Sequence, residues 1–239
     1  MKNSDKTDGR PTPDANRPGS PLSTGFAMPP DFSELVKSPP ADARHVADWR
    51  KQVRQALLAV RQDMSETARS AAQAEICRKL DAVLISRIVP KKACVGFYWP
   101  VQGEIDVRDV IADHVRRGGG AALPVVIARH QPMVFCRWAP GCEMTTGFAG
   151  IDIPAKLEQV VPDVILAPLV GFDQQGYRLG YGGGFFDRTL AALKTKPVVI
   201  GIGLAHAGLP SIFPHPFDVP MDILITEEAV RHFSSFPPS

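Results

Sequence analysis

The run "DVILAPLVGF", residues 163–172, constrains this chain more than any other stretch. Apolar side chains occupy consecutive positions, so both faces of an extended strand there must be covered. Parallel sheets meet that demand, because their crossover helices lie on the two faces. Soon after it comes "GYRLGYGGGFFDRTL", Gly176 to Leu190, with five glycines. Glycine loses more freedom on ordering than any other residue, so five of them beside a buried strand require a purpose.

The flanking patterns supply the rest of the frame. "DARHVADWRKQVRQALLAVRQDM" sets Val46, Trp49, Val53, Ala56, Leu57 and Val60 at helical spacing. "SETARSAAQAEICRKLDAVLIS" predicts a second helix with Ser65 as its N-cap. "KACVGFYWP" then reads as a buried strand ending at Pro100, and "DVRDVIADHVRRGGG" as a helix stopped by Gly118. Strands follow at "AALPVVI", "PMVFCRW", "PVVIGIGL" and "DILIT", with one more helix at "FFDRTLAALK". Strands alternating with helices predict an α/β fold: a single three-layer domain, a mainly parallel sheet, helices on both faces.

Residues 42–232 are expected to form that domain. Eight prolines fall within residues 1–41, among polar residues, which predicts a disordered proline-rich tail in which only "FSELV" is apolar enough to dock. Residues 233–239 are expected to fray. A net charge of +2 gives no electrostatic argument for nucleic acid or a membrane surface. The four cysteines form no CxxC pair and the six histidines no HxxxH spacing, so neither redox nor zinc chemistry is indicated. The longest apolar run is too short to span a bilayer. A cytoplasmic monomer is the expectation.

The glycine loop precedes a helix, at the edge of a parallel sheet where ligands bind. Helix N-terminal amides attract phosphate, and Gly180, Gly182, Gly183 and Gly184 carry no side chain to hold phosphate oxygens away. Arg178 and Arg188 add charge, and Asp187 offers a carboxylate to magnesium. No Gly-Lys-Ser or Gly-Lys-Thr triplet follows, which excludes a Walker loop. Phe185 stands where a dinucleotide fingerprint needs glycine, which excludes that motif too. A mobile strand–helix connection is the plain alternative, and the flanking charges favour a phosphate cradle over it.

"RLGYGGGFFDRTL" resembles the signature of the 5-formyltetrahydrofolate cyclo-ligase family. "WRKQVR", "FYWPVQGEIDV", "VPDVILAPLVGFDQQGYRLGYGGGFFDR" and "HPFDVPMDILITE" agree with it in order, over roughly residues 44–228. The resemblance implies ATP- and magnesium-dependent closure of 5-formyltetrahydrofolate to 5,10-methenyltetrahydrofolate, with release of ADP and phosphate. It assigns Arg178 and Asp187 to catalysis. Arg50, Lys51, Arg54, Arg178 and the loop from Gly180 through Tyr181, Phe185, Phe186 and Asp187 to Arg188 would hold ATP. Tyr98, Glu104, Phe148, Phe185 and Phe186 would hold folate, with Glu104 accepting paired N–H groups from the pterin. Asp187 would hold magnesium with Asp218 or Asp222. Each has a plainer reading as well: a solvated basic helix face for the first three, a helix-start carboxylate for Glu104, a core aromatic for Tyr98 or Trp99, a turn residue for either aspartate. The chain departs from the family pattern at Ile153, at Phe217 and at the missing glutamine near Gly208. Those departures leave two rivals standing: a paralogue with another small-molecule acceptor, and a binding protein without turnover.

Overall fold

The computed structural model describes residues 32–38, 40, 42–86 and 89–233. Three helices come first: α1 (Phe32–Lys37), α2 (Ala43–Asp63) and α3 (Glu66–Ile85). Asp42 caps α2 by accepting from the Arg44 and His45 amides, and Ser65 Oγ accepts from Ala68 N at the start of α3. The chain then alternates: β1 (Cys94–Gly96), α4 (Arg108–Arg116), β2 (Gly120–Val125) and β3 (Val134–Trp138). A hairpin of β4 (Met144–Thr146) and β5 (Asp152–Pro154) leads to β6 (Gln159–Val160) and β7 (Val164–Pro168). After it come β8 (Gly171–Asp173), β9 (Arg178–Leu179), α5 (Phe185–Ala192) and β10 (Val198–Ile202). The last elements are β11 (Gly208–Leu209), β12 (Ile223–Ile225) and β13 (Val230–His232).

The main sheet has eight strands in the order β13-β12-β10-β7-β1-β2-β3-β6. Its centre, β12-β10-β7-β1-β2, is parallel; β3 and β13 run antiparallel to it, and β6 pairs antiparallel with β3. Alternate side chains of β7 serve opposite faces. Val164 and Leu166 pack with Ile76, Leu80 and Ile111 from α3 and α4. Ile165 and Ala167 pack with Val53 and Leu57 of α2 and Leu190 of α5. The continuous apolar run is thereby explained, and the expected three-layer α/β architecture is the one observed. Among the described residues no helix is long and apolar enough to cross a membrane.

Three expectations need correction, and one strand had not been foreseen. The proline-rich segment is not without structure throughout: α1 falls inside residues 1–41, its Phe32 is 6% exposed, and Trp49 Nε1 donates to Leu35 O at 2.9 Å. Apolar contact with α2 wins there over the composition of the surrounding segment; residues 1–31, 39 and 41 lie outside the described residues. Phe233, placed in the frayed end, packs on Gly176 and donates its amide to Asp222 O, while 234–239 lie outside the described residues. The run "DVILAPLVGF" is two strands rather than one. Beyond β7 the chain leaves the main sheet, and β8 joins a small second sheet between β9 and β11. A Cβ on Gly171 would come within 2.8 Å of Leu57, so glycine permits the close crossing under α2. Finally β13, a short half-exposed edge strand, had no apolar run to announce it.

Candidate functional site

Strand order creates the site. From β1 the chain crosses by α4 to β2 on one side, and from β7 by α5 to β10 on the other. β1 and β7 are neighbours, with Val95 opposite Val164, so their carboxyl ends open onto one crevice at a topological switch point. Here lies a cleft of about 1180 Å³, walled by Tyr98 and Trp99 after β1, Pro124 of β2 and Pro168 of β7. The glycine loop following β9 forms one side and Glu104 another. Single ligand pockets run to roughly 300–1,000 Å³, so this cleft has room for two small molecules together.

The loop conformation requires its glycines. Gly182 has φ +94° and Gly184, the residue before α5, has φ +63°, both in the left-handed region that side chains resist. Around them arginines tie the loop in place. Arg54 Nε donates to Gly180 O at 2.6 Å and Arg188 Nη2 to Gly183 O at 2.6 Å. Burial lowers the Arg54 pKa, with Arg50 nearby adding repulsion. Arg54 has Nη groups beside Gly182, and these make no protein hydrogen bond among the described residues.

Arg178, on β9, is buried and faces the start of α5. Its Nη2 donates to Asp187 Oδ1 at 2.7 Å and its Nη1 to Val219 O at 2.7 Å. Burial draws its pKa down, and the carboxylates of Asp187 and Asp218 act against that. Arg178 is the enclosed member of the pair, so removing Asp187 alone costs roughly 3–5 kcal/mol by stranding a buried charge. Asp187 Oδ1 also accepts from Val219 N at 3.2 Å, while its Oδ2 takes no hydrogen bond from the described residues.

Of the expected ATP-binding residues, Arg50, Arg54, Arg178, the stretch from Gly180 through Gly184, Phe185, Phe186 and Asp187 all line the cleft. Arg50 is largely spoken for: it donates to the carbonyls of Ile212 and Phe213 and to Asp218 Oδ2, bracing the loop that carries Asp218. Lys51 is corrected to the solvated face. It is exposed and outside the cleft, one residue past Arg50 and so about 100° around the helix. Arg188 is likewise outside the lining, acting on the loop from behind.

Of the residues expected to hold folate, Glu104, Phe148, Phe185, Phe186 and Tyr98 all border the cleft. Phe148 and Phe185 meet edge to face at 5.8 Å, a ready aromatic wall. Tyr98 is the core aromatic of its pair: it is 3% exposed and its hydroxyl donates to Ile105 O at 2.8 Å. Trp99 instead carries the Arg108 guanidinium at 4.6 Å. Burial raises the Glu104 pKa, and hydrogen bonds from Val101 N and Tyr181 act in the other direction. Ile153 lines the cleft, and Phe217 stands 78% exposed.

The metal expectation narrows to two carboxylates. Asp218 lines the cleft, its Oδ2 accepting from Arg50 and from His215 N. Asp222 is removed from the set: its Oδ2 accepts from Val199 N at 2.8 Å, at the opening of β10 and away from the cleft lining. It serves as a strand-end acceptor. Among the described residues no group of three or more His, Cys, Asp or Glu gathers as a metal cage.

Two contributors had gone unnoticed in the sequence. Asp173, buried, accepts from Gln175 N, Tyr177 N and Ile212 N, and so fastens the β8–β9 turn to the Asp218 loop. Arg61, 6% exposed, reaches Tyr181 from α2. The signal for Arg61 was available: it follows Leu57 by four residues, a charge on an otherwise apolar stripe.

Comparison with known proteins agrees with this geometry. Residues 46–227 match the model of the 5-formyltetrahydrofolate cyclo-ligase family. The chain is 31% identical over 140 residues to the 5-formyltetrahydrofolate cyclo-ligase of Haemophilus influenzae, covering 55% of this chain and 74% of that one. It is 33% identical over 147 residues to the Escherichia coli enzyme of the same name, covering 57% and 79%. The NMR structure of Aquifex aeolicus 5,10-methenyltetrahydrofolate synthetase superposes with a TM-score of 0.67 at 27% identity, over 80% of this chain and 95% of that one. With the glycine loop, Glu104 and the β1/β7 cleft in their places, the chain belongs to the 5-formyltetrahydrofolate cyclo-ligase family.

Proposed function

We propose that this cleft closes 5-formyltetrahydrofolate to 5,10-methenyltetrahydrofolate at the expense of ATP, releasing ADP and phosphate. The supporting observation is that one cleft of about 1180 Å³ carries both the amide-rich glycine loop and the half-buried carboxylate of Glu104. The formyl oxygen is a poor leaving group. It attacks the γ-phosphorus of ATP, ADP departs, and the oxygen leaves later as phosphate when the neighbouring amine of folate bonds to the formyl carbon and loses its proton.

Little acid–base work falls to the protein in that sequence; alignment and charge screening dominate. The loop amides and the N-terminus of α5 receive the phosphates. The free Nη groups of Arg54 face the same loop. Arg178 holds Asp187 at the start of α5 and lines the cleft itself. Phe148 and Phe185 enclose the folate rings and keep water from the activated formyl group. Glu104 accepts pterin N–H groups.

Asp187 and Asp218 suit magnesium, a hard cation held by one or two carboxylates together with substrate phosphates. When bound there, the ion screens phosphate charge. We place the reaction in the cytoplasm, in keeping with four free thiols.

The test is ATP consumption by the purified protein with and without 5-formyltetrahydrofolate, alongside the absorbance of methenyltetrahydrofolate. Coupled, stoichiometric signals are expected. ATP turnover that proceeds without methenyl product would assign the cleft to a different acceptor, and binding without turnover would make it a carrier.

A further inference from the structure

Three separated segments meet beside the cleft: α2 brings Arg61, the glycine loop brings Tyr181, and the loop after β1 brings Glu104. Arg61 Nη2 donates to the Tyr181 hydroxyl at 2.5 Å, and Tyr181 Oη stands 2.8 Å from Glu104 Oε1. Val101 N donates to the other carboxylate oxygen, Oε2, at 2.9 Å. Arg61 is itself fixed, through Nη1 on Leu169 O at 3.2 Å and through its own carbonyl, which accepts from Arg69. Its guanidinium lies 5.7 Å from the centre of the Tyr181 ring.

The donors settle most of this arrangement. A guanidinium only donates, so the phenol oxygen accepts from Arg61, and with Glu104 ionised the phenol turns its own proton toward the carboxylate. A backbone N–H also only donates, so Oε2 must accept as well. Both carboxylate oxygens then serve as acceptors, a role the ionised form fills more strongly than the protonated one. This arrangement spends the Tyr181 side chain on the carboxylate across the cleft, although its backbone belongs to the phosphate-facing loop.

We propose that Tyr181, held by Arg61, is a positioning residue for Glu104: it fixes the carboxylate in the orientation and acceptor form that substrate N–H groups require. The proposal rests on the reading that Glu104 meets the pterin. Burial disfavours the ionised carboxylate, and the phenol and the Val101 amide offset that cost. The titratable and charged groups facing Glu104 are Arg61 from α2, Tyr181 from the glycine loop, Tyr98 from the segment after β1, and His206 across a small void. Of these, the phenol of Tyr181 is the one that donates directly to the carboxylate.

The experiment is a double-mutant cycle of Tyr181→Phe and Glu104→Gln, read as the dissociation constant for 5-formyltetrahydrofolate by titration calorimetry across pH. Losing a hydrogen bond to a charged group is worth roughly tenfold or more. Tyr181→Phe is expected to weaken folate binding by about that factor and to move its acid limb to higher pH, since an unsupported Glu104 takes up a proton sooner. In the Glu104→Gln background the same change is expected to shift the constant less than about twofold. An equal loss in both backgrounds, or an acid limb that stays in place, overturns the proposal while leaving Glu104 as a folate contact. If Glu104→Gln alone binds folate normally, the reading of Glu104 falls and the proposal falls with it.

Discussion

Gly182 meets a backbone demand and, on the proposed reading, a ligand demand at a single position. Its φ of +94° is one a β-branched residue resists, and an added Cβ would sit 3.4 Å from the Arg54 guanidinium. Holding a non-glycine residue in such a conformation costs about 1–3 kcal/mol, which a domain of this size tolerates. Gly182→Val is therefore expected to keep its circular dichroism spectrum and to lose calorimetric binding of a non-hydrolysable ATP analogue. Unaltered nucleotide affinity would mean the loop is a connection and not a cradle. Composition and spacing marked these glycines out, since no regular element tolerates so many. The same reasoning had no means to separate Asp218 from Asp222, four positions apart, because each side chain is directed by its fold and not by its neighbours in sequence.

Helix α1 shows how an element of six residues can be tied to the site from outside it. Phe32 is buried against α2, and Leu35 O accepts from the Trp49 indole, whose ring meets Phe213 of the cleft wall at 4.9 Å. Burying one Phe contributes about 1.5–3 kcal/mol and the hydrogen bond about 1 kcal/mol more. Deleting residues 1–41, which leaves the Asp42 cap of α2 intact, is expected to lower the melting temperature by roughly 5–10 °C, at about 2–4 °C per kcal/mol for a chain of this length. Deleting only residues 1–31 is expected to leave it unchanged, because that stretch is poor in large apolar residues. Differential scanning calorimetry of the two shortened chains separates the cases. Equal melting temperatures would show that α1 adds nothing. "FSELV" stood out in the sequence as apolar, but what it docks on is a face of α2 that only the folded chain presents.

At the scale of the whole molecule, global stability carries a proton-linked component. Burial pulls the His206 pKa down to about 4 from its usual 6.5, and the Arg61 charge nearby adds to the shift. The unfolded chain then binds the proton first as pH falls. The stabilisation is therefore complete above pH 6.5 and is lost progressively as pH drops toward about 4. Glu104 and Glu227, raised by burial, bind protons more readily in the folded state and act oppositely, so a comparison isolates the histidine. His206→Gln is expected to show a shallower fall in urea-denaturation stability between pH 6.5 and pH 4 than the parent chain, even if it starts lower. Parallel slopes would remove His206 as the source.

Sequence alone was enough to read the layered architecture, the helix starts near Asp42 and at Ser65, and a glycine-rich loop ahead of a helix at the sheet edge. Those features are local: apolar periodicity, capping side chains and glycine content act over a few residues and read the same in any surroundings. What spans the chain came from folding. Pairing β1 with β7 brought Glu104 within reach of Tyr181, 77 positions away. The close crossing of β8 and α2 brought Arg61 to the same point, and the bend after β7 turned one apolar run into two strands of different sheets. Strand order and side-chain direction are products of packing the whole chain at once, and no window of sequence contains them.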